Sequence, residues 1–370
     1  MLITSGSRAR RLAAAALLIA PVWLAPASLA ASPTCLGKKA TIIGTDDADE
    51  IEGTSGVDII LALDGDDVVD GLDGNDLICG GDGRDLLRGG AGNDALSGDG
   101  GDDEATGGSI GIGSGDPIRI FGDEGGLYGG EGNDRLLGGD GADDLHGEAG
   151  SDLLLGGNDG DHLQGGDGNN RMLGESGNDS IYSGSGNDVV DTGTGDNYVS
   201  VGSGNNRVVA REGSDDVYAG AGDDTVDLGS GNNYASVGSG TNSVVGRDGD
   251  DDVYSGSGAD VIKVGGGNNY VSAGNGLNRI LTRDGNDDIY SGSDRDIIES
   301  GGGDNYVSAG NGDNNVRTLG GSDDIYTGSG NDRISAGAGD DFISAGSGKD
   351  FVDGGLGNDD CNGAEDARDC

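Results

Sequence analysis

From residue 129 to residue 362 an aliphatic side chain returns at every ninth position, 26 times in all, with glycine and polar residues between. Leu136, Leu145, Leu154, Leu163, Met172, Ile181 and Val190 open the series, Val352 stands near its end, and Ala235 and Cys361 are its weak members. A shorter series of seven copies runs over residues 44–106. A period of nine matches neither an amphipathic helix nor a long alternating strand; it marks a short unit stacked on copies of itself. Each unit reads G-G-x-G-x-D-x-U-x, with U aliphatic. The closing x-U-x predicts a three-residue strand whose middle side chain points inward and whose neighbours point outward. The glycines at the first, second and fourth places predict a tight turn that uses positive φ. Two units then complete an 18-residue circuit, and units i and i+2 stack at about 4.8 Å per layer. The fold class predicted is all-β, a parallel β-roll (a β-helix solenoid). The 13 circuits of the long array would form a rod of roughly 60 Å at that spacing.

Composition alone points elsewhere. Gly is 82 of 370 residues, aromatics are 4%, and the formal charge is −47. Low hydrophobicity with high charge is the signature of disorder, but a disordered acidic tail does not keep an aliphatic residue in register 26 times. The charge instead requires cations before the chain can compact. The same acidity excludes nucleic acid as a partner.

The N-terminal stretch, residues 1–30, is of another kind. Arg8, Arg10 and Arg11 precede an apolar run from Leu12 to Leu24, and Ser28-Leu29-Ala30 offers small residues for cleavage. This pattern predicts a cleaved signal peptide over residues 1–30, not a membrane span, and a secreted, extracellular protein. Arg10-Arg11 leaves the twin-arginine and general export routes both open. Residues 31–43 form an N-terminal lead-in, 44–106 the first array, 107–128 an aperiodic loop or linker containing Pro117, 129–362 the second array, and 363–370 a C-terminal cap. The four cysteines of an exported chain imply two disulfides with three connectivities. Cys361 with Cys370 would staple the cap, leaving Cys35 with Cys79 to tie the lead-in to the early turns.

The sixth-position Asp falls where stacked turns face one another. Hard carboxylate oxygens beside turn carbonyls suit Ca²⁺, which takes six to eight oxygens in flexible geometry, better than the smaller Mg²⁺. With these residues in this spacing the chain resembles the RTX (repeats-in-toxin, hemolysin-type) family, over nearly all of the predicted mature chain. The resemblance implies a parallel β-roll that binds several Ca²⁺ ions between successive turns through the sixth-position side chain. In the first array that residue is Asp58, Asp67, Asp76, Asp85, Asp94 and Asp103; in the second it begins with Asp134, Asp143, Asp152, Asp161, Asp179 and Asp188. At Asp49, Asp350 and Asp359, beside the array ends, a solvated turn carboxylate is an equally good reading. Two departures stand out: such proteins usually carry an uncleaved C-terminal export signal, and their arrays usually follow an enzymatic or pore-forming domain.

Beyond Asn178 a 36-residue super-repeat appears, and the sixth position alternates along each side of the roll. One side reads Asp188, Asn206, Asp224, Asn242, Asp260, Asn278, Asp296, Asn314, Asp332, and the other Asp179, Asn197, Asp215, Asn233, Asp251, Asn269, Asp287, Asn305, Asp323, followed by Asp341. No Asn stacks on an Asn. Each inter-turn site here pairs a carboxylate with an amide and is expected to hold Ca²⁺ more weakly than an Asp/Asp site. Simple duplication of a 36-residue block gives the same alternation.

The same sorting collects tyrosines. Tyr182, Tyr218, Tyr254, Tyr290 and Tyr326 take the ninth position, and Tyr198, Tyr234, Tyr270 and Tyr306 the seventh, all on the outward surface of one sheet. The opposite sheet shows Arg207, Lys263, Arg279, Arg317 and Arg333 there. Aromatic strand residues pack well against each other, and an exposed aromatic strip also suits an extracellular polysaccharide or surface protein. No Ser/His/Asp or Cys/His set, nucleophile turn or phosphate loop is present, and His146 and His162 sit on neighbouring same-side turns without a third ligand. The sequence therefore predicts a calcium-binding structural or surface protein and not an enzyme. The alternatives are a carbohydrate-binding or adhesive protein using the tyrosine sheet, and an accessory chain of a toxin or secreted hydrolase.

Overall fold

The computed structural model describes residues 33–90, 92, 94–100, 103–106 and 126–370. The predicted signal peptide and most of the predicted linker lie outside them. The described chain is an all-β parallel solenoid of about 17 turns with about 18 residues per turn, a parallel β-roll as the period of nine predicts.

Each turn lays one short strand in each of two parallel sheets. One sheet runs from Ile42–Ile43 to Asp360–Asn362, the other from Glu50–Glu52 to Asp366–Arg368. The usual register is one circuit, Leu153, Leu154 and Leu155 lying beside Arg171, Met172 and Leu173, with local shifts after Asp191 and Asp227. The sheets are open, since Glu50–Glu52 pairs with Val68–Asp70 and Asp366–Arg368, at the far end, with Phe351–Asp353. The eighth-position residues from both sheets meet in a single file of core, Ile60, Leu136, Met172, Val217 and Ile298 among them, with no solvent exposure.

The two predicted arrays share one stack. Ala95–Gly100 pairs with Leu127–Glu131, and Glu104–Thr106 with Arg135–Asp140, so both sheets pass across the interruption without losing a strand. Leu127 takes an eighth-position place in the core and Tyr128 a ninth-position place outside it, so the strand begins ahead of the predicted array boundary at 129.

The glycines divide their work differently from the expectation. In the repeat opening at Gly138, Gly139 (φ 116°) and Gly141 (φ 112°) take left-handed backbone, and Gly138 does not. Where the first position is glycine, as in the early turns, it is space and not φ that requires it. A β-carbon built on Gly71 would lie 2.5 Å from the carbonyl oxygen of Gly89, one turn on, and 2.6 Å from Asp76 Oδ2.

Both ends are stapled. The Thr34–Cys35/Lys38–Lys39 hairpin lies over the outward side of the first sheet, where Cys35 bonds Cys79 and both become buried. Cys361, the weak inward residue of the last turn, bonds Cys370.

Candidate calcium sites

The sixth-position residues form two ladders, one along each side of the roll: one runs unbroken from Asp49 to Asp350, and the other runs from Asp58 to Asp94 and again from Asp143 to Asp359. The backbone N–H of each donates to the side-chain oxygen of its counterpart one turn further on: Asp58 to Asp76 (2.8 Å), Asp67 to Asp85 (2.9 Å), Asp161 to Asp179 (2.9 Å), Asp224 to Asn242 (3.0 Å), Asp323 to Asp341 (2.9 Å). In the alternating zone each Asn accepts from an Asp and donates to an Asp, as the sorted sequence requires. Asn170, not anticipated as a site residue, takes a rung between Asp152 and Asp188. At the far end Asp332 donates to Asp350, Asp341 to Asp359, and Asp350 to Glu365 of the cap. Position in the repeat could have flagged Asn170; only the fold brings Glu365 to the ladder.

One oxygen of each carboxylate is thus engaged; the other is engaged too at Asp58, by Thr54, and at Asp188, by Ser183, but at most of the rungs it is not. Oδ2 of Asp67, Asp76, Asp85, Asp103, Asp152, Asp161, Asp179, Asp215, Asp251 and Asp287 is buried with no hydrogen-bond partner, and the same holds for Asp350. These oxygens face other acceptors. In front of Gly147, Asp152 Oδ2 and the Gly165 carbonyl converge on the point a β-carbon would occupy, at 2.6 and 2.7 Å. A buried carboxylate oxygen set among carbonyls has no donor to satisfy it, and such burial costs on the order of several kcal/mol per ion. An oxygen-only donor set of this kind is what Ca²⁺ takes. Among the described residues no three His, Cys, Asp or Glu side chains converge as a metal site. The coordination sphere therefore has to draw on turn carbonyls.

Burial raises the carboxyl groups above their ordinary range. Asp76, Asp85, Asp152, Asp251 and Asp341 are pushed up to about 6, Asp103 and Asp143 to about 7, and Asp161 to about 8, with burial as the leading cause and neighbouring carboxylates adding to it. The groups least able to ionise alone are those placed to share a cation.

The tyrosines lie as expected on one sheet, in an unbroken file. Ring centroids from Tyr182 to Tyr326 are spaced 5.3 to 5.5 Å. The file extends past both ends of the expected strip. Phe342 continues it at 5.6 Å from Tyr326, and His162, His146 and Tyr128 continue it in the other direction. His146 and His162 are therefore members of an aromatic ladder. His146 Nε2 also lies 2.9 Å from Asp144 Oδ1, which raises its pKa. The opposite sheet is different in kind. Its arginines pair with acids on its own face, Arg135 with Glu104 at 3.2 Å and Arg279 with Glu299 at 3.4 Å, and Arg333 sits over the Phe351 ring.

No curated protein matches the chain. The sequence profile of the RTX calcium-binding nonapeptide repeat (4 copies) does, over residues 43–78, 80–109, 128–163, 155–190, 164–199, 191–226, 200–235, 227–262, 264–298, 299–334 and 326–361. Nearly every turn of the described roll falls inside one of these matches. The chain belongs to the RTX calcium-binding nonapeptide repeat family, and its repeats bind multiple Ca²⁺ ions.

Proposed function

We propose that the protein is an exported, non-catalytic β-roll that folds on extracellular Ca²⁺ and serves as a structural or surface-matrix module. The observation that carries this reading is the paired ladder of buried carboxylates, most of them with one oxygen that no donor reaches. A site of that kind makes metal binding part of the folding free energy. Where Ca²⁺ is scarce, as inside a cell, such a chain stays open; where it is abundant, as outside, it closes. Two disulfides suit the same oxidising compartment. The predicted signal peptide over residues 1–30 supplies the route. Far-UV circular dichroism of the exported chain during a Ca²⁺ titration tests the reading. A rise in β-signal is expected with Ca²⁺ and a poor response with equal Mg²⁺; an identical spectrum in excess chelator would sink it.

A second reading is favoured by the aromatic ladder. The outward face that bears it presents acids and serines beside the rings, Asp216, Asp252, Asp288 and Asp324 with Ser200, Ser236, Ser272 and Ser308, and no Lys or Arg at the strand positions from 126 to 362. Rings flanked by hydrogen-bond acceptors and hydroxyls suit the sugar units of an extracellular polysaccharide. Retention of the calcium-loaded protein on insoluble polysaccharide, lost when the tyrosines are replaced, would support it.

A further inference from the structure

We infer that the asparagine turns between residues 192 and 317 take no calcium, because the asparagine amide stands where the cation stands in the aspartate turns. This rests on the reading that the aspartate turns bind Ca²⁺, and it assigns Ca²⁺ to alternate layers along each side of this stretch.

Aspartate and asparagine turns differ by the exchange of one atom. In an aspartate turn Oδ1 accepts the backbone N–H of the turn before, and Oδ2 is buried among acceptors. In an asparagine turn Oδ1 accepts the same N–H, from Asp179 to Asn197 at 2.9 Å, and Nδ2 replaces Oδ2. That nitrogen is satisfied. Asn197 Nδ2 donates to the Gly195 carbonyl at 2.8 Å and to Asp215 Oδ1, one turn on, at 2.8 Å. Asn233, Asn269 and Asn305 repeat both bonds. On the other side Asn206 Nδ2 donates to Gly204 and to the carbonyl of Ala219, the first-position residue of the next turn. A cation in an aspartate turn would draw on carbonyls of these types. In an asparagine turn they are already engaged by N–H, which brings no charge to neutralise.

The first position gives an independent second observation. Beside aspartate it is small or hydroxylic: Gly174, Ala210, Gly246 and Thr282 precede Asp179, Asp215, Asp251 and Asp287. Beside asparagine it becomes apolar and bulky in four turns, Val201, Leu228, Val237 and Val264, all essentially fully buried. These side chains occupy the space that a first-position glycine leaves beside Asp Oδ2 elsewhere in the roll. The amide removes the need for a cation, and the aliphatic group removes the room.

The test is calcium bound per chain, by equilibrium dialysis of the exported protein. Replacing Asp215, Asp251, Asp287 and Asp323 together by Asn should lower the number bound by about four while the β-signal in saturating Ca²⁺ is kept. An unchanged number would show that Asn turns bind as Asp turns do and overturn the proposal. If this variant does not fold, Asn305→Asp decides, because Ser300 leaves room beside it. One more Ca²⁺ per chain supports the proposal; an unchanged number, or loss of the fold in saturating Ca²⁺, overturns it. A parent chain that binds no calcium would refute the underlying reading instead, and the two failures remain distinct.

Discussion

The backbone N–H of Asp103 donates to Oδ1 of Asp134 at 2.7 Å, across 31 residues, where the next rung, Asp134 to Asp152, spans 18. The ladder crosses the sequence interruption as if the extra stretch of chain (31 − 18 = 13) were absent. Strand pairing of Glu104, Ala105 and Thr106 with Arg135, Leu136 and Leu137 says the same. A solenoid tolerates such an insertion because each turn contacts only its neighbours, and lengthening a connection adds little closure entropy.

Deleting residues 107–119 restores the regular spacing of the rungs. The shortened chain is expected to fold at the same or slightly lower Ca²⁺, with the change in loop closure worth about 1 kcal/mol or less. A loss of calcium-driven β-signal, read by circular dichroism, would show that the segment has a structural part to play.

The raised carboxyl groups set a pH dependence of definite sign. Asp103, Asp143 and Asp161 hold their protons in the metal-free roll up to about 7 to 8, above the usual carboxylate range that the unfolded chain retains. Between about pH 4 and those values the folded metal-free state binds more protons than the unfolded state, so its stability falls as pH rises. In excess chelator, β-structure is expected to be greater at pH 5 than at pH 8. Protons and Ca²⁺ compete for the same oxygens, so the Ca²⁺ midpoint should move the other way and rise as pH falls. Titrations at four pH values check both slopes.

Removing core differs from removing a ligand. Leu136→Ala leaves a hole in a file only one residue wide and should cost about 2–5 kcal/mol, raising the Ca²⁺ midpoint without changing the number of ions bound. Asp134→Ala should lower the number bound while the distant turns stay folded, because coupling in a solenoid is to nearest neighbours. Hydrogen exchange mapped by peptide separates the two: loss of protection around residue 134 is expected for both, and a lower calcium count for the second alone.

The two disulfides should differ in weight. The Cys35–Cys79 bond closes a loop of 44 residues and Cys361–Cys370 one of 9. Loop-closure entropy assigns about 4 kcal/mol to the first and about 2.5 kcal/mol to the second. Cys370 is exposed, whereas Cys35 and Cys79 are buried beneath the hairpin. Mild reduction should therefore open the C-terminal bond first, with loss of exchange protection confined to the last turn.

Replacing Tyr218, Tyr254 and Tyr290 by Ser removes six ring contacts from the outside of the roll. Aromatic pairs contribute about 0.5–1.5 kcal/mol each, so the Ca²⁺ midpoint should rise while the core file and the carboxylate ladders persist. Weakened retention on polysaccharide by the folded variant would mark the strip as a binding face; unchanged retention with lower stability would mark it as packing alone.

The sequence by itself determined the coil. A period of nine with an aliphatic eighth position leaves one arrangement that buries every U residue, and the sixth position then stacks on itself at every second unit. The Asp/Asn alternation and the single tyrosine-bearing sheet followed from position in that frame, whereas the cysteines left three connectivities, of which the fold takes Cys35–Cys79 with Cys361–Cys370. The tertiary structure decided what needs a third dimension. It joined residue 106 to the turn at 135 because parallel strands pair by space and not by chain distance. It added Tyr128, His146, His162 and Phe342 to the tyrosines because direct and diagonal neighbours on a sheet both lie within ring reach, whatever their names. It brought Glu365, outside the repeat, under Asp350. It also gave the first-position glycine its reason, steric and not conformational, since the sixth-position Asp of its own repeat and, at Gly71, the carbonyl of the next turn crowd it. Local pattern sets which way a side chain points; only stacking sets what it meets.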